Sequence, residues 1–182
     1  MKKLTIIAAC VTAMSAGAAF AQNVSIVEQW GVGNGQFTAQ NGANFAYTGQ
    51  VGAFNGAVTL QDGANAAGTV QVGVGNYAET MQSGMNGAGT YQEGEGNVAG
   101  TYQNGIWNGS GTAQFGADNE AYTVQDGILN GSGTIQAGEG NYSETMQDGN
   151  VNGSLTMQFG EDNVSSTSQV GDGNGSLTIQ SN

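Results

Sequence analysis

The chain has 182 residues, with 33 Gly, no Pro and only 9% charged side chains, a composition closer to low-complexity sequence than to a methyl-rich globular core. The two basic residues, Lys2 and Lys3, stand at the start, and all 14 carboxylates follow with no Lys, Arg or His among them, for a formal net charge of −12. That balance argues against a nucleic-acid partner, because phosphate contacts need Lys or Arg.

In chain order, the first element is a leader. Lys2 and Lys3 form a positive start, Leu4 to Phe20 are mostly apolar or small, and Ala19-Phe20-Ala21 is a small-x-small cleavage site. The expected cut lies between Ala21 and Gln22, giving a signal peptide over 1–21 and a repeat domain over 22–182. The apolar run is too short and too diluted with Thr, Ser and Gly for a transmembrane anchor. Cleavage there also removes Cys10, so disulfides and thiol chemistry are not expected in the mature chain.

From Asn23 onward one seven-residue frame is written fifteen times, with an Asn followed six residues later by a Gln. The pairs are Asn23/Gln29, Asn34/Gln40, Asn44/Gln50, Asn55/Gln61, Asn65/Gln71, Asn76/Gln82, Asn86/Gln92 and Asn97/Gln103. They continue as Asn108/Gln114, Asn119/Gln125, Asn130/Gln136, Asn141/Gln147, Asn152/Gln158, Asn163/Gln169 and Asn174/Gln180. A Thr lies four residues after the Asn in every copy except the first, which has Val27. Ala or Ser lies two after it, apart from Gln36. So strict a period means stacked identical units.

Side chains of an extended strand alternate between faces. The positions Asn, Ala/Ser, Thr and Gln therefore share one nearly constant face, and the other face varies. Glu28, Glu79, Glu120 and Glu144 fall on the variable face, the remaining acids lie in the connections, and none falls on the constant face. Burying an unpaired carboxylate is costly, so the constant face is expected inside. An eleven-residue helical supercoil is opposed by the Gly content, by the Thr, Val, Tyr and Ile enrichment and by the period of two.

The connections read Gln-x-Gly-x-x-Asn, one residue shorter before Asn44, Asn65 and Asn86. They fit either a hairpin, with neighbours antiparallel, or an arc that folds one strand over to face the next. The arc is favoured because alternate units match: Trp30, Val51, Val72, Phe115, Ala137 and Phe159 follow Gln in one set, whereas Asn41, Asp62, Ser83, Asn104, Asp126 and Asp148 do so in the other. Parallel stacking also sets Asn over Asn and Gln over Gln, as amide ladders require. The expected architecture is all-β, a β-solenoid of about 7.5 two-strand rungs, roughly 35 Å tall at about 4.8 Å per rung.

Soluble solenoids carry polar capping repeats and protected edges. No cap is evident beside Asn23 and Gln29 or beside Asn174 and Gln180, so these four residues are the expected polymerising ends, and open stacking of this kind makes filaments.

Gln103-Asn104-Gly105-Ile106-Trp107-Asn108-Gly109-Ser110-Gly111-Thr112-Ala113-Gln114 closely resembles the curlin repeat of bacterial curli subunits. The resemblance covers essentially 23–180. It implies a structural subunit of an extracellular functional amyloid in the biofilm matrix of a Gram-negative bacterium, with self, a nucleator and dedicated export machinery as partners. The frame departs from the usual curlin pattern in starting both halves with Asn, and no non-repeat export segment follows the leader. Two alternatives are a minor nucleator subunit of the same fibre and an ice-binding solenoid built on the recurrent Thr. No cofactor, metal or small-molecule substrate is expected. An enzyme is not expected either, because the mature chain has no His or Cys and no distinctively placed carboxylate pair.

Overall fold

The computed structural model describes residues 12–14 and 22–182, and every ordered element in it is a strand. β1 is Thr12–Met14, and the repeats begin with β2, Val24–Val32. They continue as β3 Gly35–Gly42, β4 Phe45–Ala53, β5 Gly56–Gly63, β6 Ala66–Val74, β7 Tyr77–Glu95 and β8 Val98–Ala117. The remainder are β9 Glu120–Ile128, β10 Gly131–Glu139, β11 Tyr142–Asn150, β12 Gly153–Glu161, β13 Val164–Val170 and β14 Gly175–Ser181. β7 and β8 each run through an arc and so supply two units. Absence of Pro leaves every backbone N–H available for such a ladder.

All pairing between units is parallel and skips one unit: β2 pairs β4, β3 pairs β5, β4 pairs β6 and β5 pairs β7. The pattern holds through β12 on β14. The chain is therefore a β-solenoid in which two sheets face each other through the constant side chains. Register is identity-matched, with Thr134 opposite Thr112 and Thr156, and Gln136 opposite Gln114 and Gln158. A slip of one residue would move the whole amide set to the solvent side, so the pattern holds the register.

The rung length changes once. Paired Gln residues lie 21 apart up to Gln82 and Gln103 and 22 apart from Gln92 and Gln114 onward. The added residue enters at the arc before Asn108, where β7 and β8 shift register between Met85 and Gly87. There Trp107 is accommodated by turning outward, its Nε1 donating to Met85 Sδ at 2.9 Å.

The interior contains almost no methyl-rich side chains. Among the described residues, buried hydrophobics are limited to alanines such as Ala46, Ala78, Ala99 and Ala121, all two residues after an Asn. Their small size lets the two sheets approach. Gln36, the one long residue at that position, is half-buried and donates to Thr38 Oγ1.

Candidate functional site: amide ladders and stack ends

Each Gln serves two neighbours at once. Gln50 Nε2 donates to Gln71 Oε1 on the next rung at 2.7 Å and to the Gly35 carbonyl of the facing sheet at 3.0 Å. Gln71, Gln92 and Gln136 repeat this, reaching the carbonyls of Gly56, Tyr77 and Glu120. One ladder runs from Gln29 through Gln50, Gln71, Gln92, Gln114, Gln136 and Gln158 to Gln180. The other runs from Gln40 through Gln61, Gln82, Gln103, Gln125 and Gln147 to Gln169. These amides both stack the rungs and tie the sheets together. The tie between sheets was not visible in the sequence, because it uses backbone carbonyls.

The Asn ladders point the other way. Asn76 donates through its backbone N–H and its Nδ2 to Asn55 Oδ1, and Asn97 does the same to Asn76. The remaining amide hydrogen ties in the arc of the next rung: Asn97 Nδ2 reaches the Gly116 carbonyl, and Asn119 reaches Gly138, both at 3.0 Å. Along the side-chain ladders, therefore, Gln donates toward the C-terminal end of the stack and Asn toward the N-terminal end.

Arcs of the longer kind contain two positive-φ positions. One is the constant Gly; the other is the residue just before Asn, filled by Gly33, Gly75, Gly96, Gly140 and Gly173, but also by Phe54, Trp107, Asp118, Leu129, Val151 and Asp162. The second position escaped sequence reading, although its recurrent glycines were a usable signal. Left-handed backbone at a bulky residue costs about 1–2 kcal/mol, which the amide plug behind each arc offsets.

Satisfaction is incomplete in the middle of the seam. Among the described residues, buried hydroxyls of Thr48, Thr101, Thr112, Thr134, Ser143, Thr145 and Thr156 have no hydrogen-bond partner. The polar seam is therefore satisfied along its amide edges and not along its centre. Thr145→Val, which keeps the shape and removes the orphaned hydroxyl, is expected to raise stability by about 1 kcal/mol. A lower denaturation midpoint in that variant would mean that the hydroxyl is satisfied.

Outside, the two sheets differ. One presents Trp30, Val51, Val72, Phe115 and Phe159, most of them well exposed. The other presents Asn41, Asp62, Asn104, Asp126 and Asp148 at the matching position after Gln and carries four of the six tyrosines, with Tyr102 Oη donating to Glu79 Oε2 at 3.0 Å and Tyr122 tilted against Tyr142 at 6.2 Å between centroids. Partial burial, reinforced by the Glu79 carboxylate, pushes the Tyr102 hydroxyl up to about 12. Tyr47, Tyr77, Tyr122 and Tyr142 are raised first by burial and then by neighbouring carboxylates, and Tyr91 first by its bond to Glu93. In each case the folded state holds the phenol proton more tightly than the unfolded chain. Stability from these groups is complete below the unfolded pKa of about 10 and is lost as pH rises toward the folded values. Alkaline titration followed by circular dichroism should show strand loss setting in between about pH 10 and 12, and replacing Tyr102 with Phe should move that onset upward.

The ends of the stack carry incomplete ladders. At the N-terminal end Gln29 and Gln40 have no donor at Oε1 among the described residues, while Asn23 and Asn34 turn their Nδ2 groups to the carbonyls of Gln40 and Gly52. At the C-terminal end Gln169 and Gln180 bond the carbonyls of Gly153 and Val164, and Asn163 and Asn174 receive no amide at Oδ1 among the described residues. A polar cleft opens here between the last two strands, lined by Thr167, Gln169, Asn174, Ser176 and Thr178. Ala21 lies outside the described residues; Gln22 is exposed. β1 pairs parallel with β3, Thr12 opposite Thr38 and Met14 opposite Gln40, and so covers one of the two edges at the N-terminal end.

No protein-family model matches this chain, and no curated protein matches it. Among the described residues no cluster of His, Cys, Asp or Glu is arranged to hold a metal, and no helix is long and apolar enough to cross a membrane.

Proposed function

We propose that the chain is the structural subunit of an extracellular, curli-like amyloid fibre that serves biofilm matrix or adhesion, and that it polymerises by end-on stacking. The observation that carries this reading is the complementarity of the two ends. Gln amide donors and Asn acceptors at the C-terminal end meet Gln acceptors and Asn donors at the N-terminal end. Two N-terminal ends would oppose acceptor to acceptor along the Gln ladder, and two C-terminal ends donor to donor. Growth is therefore polar, each copy adding in the same orientation. The partners in this reading are further copies of the chain, a nucleator and a secretion apparatus; nucleic acid and small molecules have no part in it. The ice-binding alternative needs an exposed Thr array, and the Thr residues lie in the seam, Thr101 and Thr145 fully buried.

Purified chain from Gln22 onward should convert, after a lag, into fibres that bind thioflavin and give a reflection near about 4.8 Å. Replacing Gln29 and Gln180 with Ala should slow conversion more than replacing the outward Tyr77 and Tyr142. A chain that remains monomeric at high concentration would remove the proposal.

A further inference from the structure

The fifteen repeat units do not divide evenly between the two sheets. The sheet that begins with β2 and ends with β14 holds eight units, and the facing sheet, from β3 to β13, holds seven. A second copy placed without rotation would set its Asn23–Gln29 strand on Asn174–Gln180. The seven-strand sheet would then lack one strand between Asn163–Gln169 and the newcomer's Asn34–Gln40. A copy turned by half a revolution about the stack axis instead lays Asn23–Gln29 on Asn163–Gln169 and Asn34–Gln40 on Asn174–Gln180. Both sheets then continue without interruption.

We propose that successive copies of this chain are related by that half-turn; the inference rests on the end-on stacking reading above. Three features of the ends support it. First, the half-turn places the arc Gln29–Asn34 over the arc Gln169–Asn174, and the two match in length and in backbone. Gly31 and Gly171 have φ of 128° and 104°, and Gly33 and Gly173 have φ of 70° and 72°. The short form found before Asn44 would not have matched.

Second, the outward side chains agree. In the seven-strand sheet the residue after Gln is polar in Asn41, Asp62, Ser83, Asn104, Asp126 and Asp148, but the last unit carries Val170 instead. Val170 is 76% exposed and Trp30 is 71% exposed. The half-turn seats Trp30 beside Val170, Phe37 beside Leu177 and Val24 beside Val164, whereas unrotated stacking puts Trp30 beside Ser181 and Glu28 beside Ile179. In-register apolar pairs stabilise neighbouring strands, and a carboxylate beside Ile does not. The break in the polar row thus has a physical reason.

Third, the outer edge of β3 accepts a parallel strand in the register required. β1 lies there with Thr12 opposite Thr38, the place that Thr178 of a turned neighbour would take. The uncleaved chain therefore covers one of the two edges used for stacking, and removal of residues up to Ala21 opens it.

Cysteine pairs in the chain from Gln22 to Asn182 test the geometry, since that segment contains no Cys. Trp30→Cys with Val170→Cys brings Cα atoms of adjacent copies to about 5 Å after a half-turn, within disulfide range. Trp30→Cys with Ser181→Cys does so only without rotation. Fibres of the first pair should yield a ladder of covalent multimers under mild oxidation, at least tenfold more than fibres of the second. Equal yields, a reversed preference, or fibres in which neither pair links would overturn the half-turn. Electron cryo-microscopy of unsubstituted fibres supplies an independent readout. The half-turn gives about 36 Å of rise per copy with about 180° of rotation beyond the stack's own twist, and unrotated stacking gives about 38 Å without it. A chain that never polymerises removes both readings, whereas fibres with the unrotated geometry remove the half-turn alone.

Discussion

Replacing Gln114 with Leu is expected to lower the unfolding free energy by about 3–5 kcal/mol, although Leu is similar in volume and more apolar. Gln114 is fully buried. Its Oε1 accepts from Gln92, and its Nε2 donates to Gln136 and to the carbonyls of Val98 and Asn119, each at 2.9 Å. Leu leaves the Gln136 oxygen and the Val98 carbonyl without that donor in a site closed to water, and each orphaned group costs about 1–3 kcal/mol. The loss falls on one rung of a stack whose stability is largely a sum of neighbour contacts. Amide exchange should therefore accelerate first in β8 and β10 and only later near β2 or β14. The same change at the half-buried Gln180 should cost under about 1 kcal/mol, because its outer amide face has no partner rung to lose. Equal losses at the two positions, read from denaturation midpoints, would contradict the ladder account.

Gly116→Ala should be at least as damaging. Gly116 sits in an arc at φ 109°, and a Cβ built there would lie 2.1 Å from the Gly138 carbonyl oxygen. The clash is with backbone of the next arc, so no rotamer relieves it, and the φ itself is one that L side chains rarely adopt. We expect a loss of about 3 kcal/mol or more. The comparison is Gly111→Ala in the same strand: Gly111 is not at positive φ and has nothing within 4 Å of its added Cβ. That variant should be neutral or more stable by about 0.5–1 kcal/mol, through reduced freedom of the unfolded chain. A similar response at both glycines would mean that the arcs do not approach each other as closely as Gly116 and Gly138 do.

The contrast between those glycines marks how far the sequence could be read. Constant residues in fixed phase were enough for the solenoid, the parallel skip-one pairing and the inward face, because a period of two and a charge-free face leave few alternatives. Gly116 could be assigned to an arc from its place two residues after Gln114. Other features depend on distances that residue types do not encode. The bond from Gln50 to the Gly35 carbonyl needs the two sheets at one particular separation, and that separation also strands the Thr145 hydroxyl. The left-handed Val151 and Leu129 were hidden because β-branched and bulky residues argue for strand by propensity, yet the arc imposes its own backbone. The opposed donor directions of Asn and Gln could not be read either, since an amide stack can run in either sense.

The interior described above is made of amides, hydroxyls and alanine methyls, while Trp, Phe, Val and Leu side chains lie outside. Unfolding such a molecule hydrates mainly polar surface, which lowers heat capacity where apolar surface would raise it. Calorimetry should therefore give a heat-capacity increment well below the roughly 12–15 cal/mol/K per residue of ordinary domains. The resulting curve of stability against temperature is shallow, so chilling, which weakens oily cores, leaves this polypeptide almost untouched.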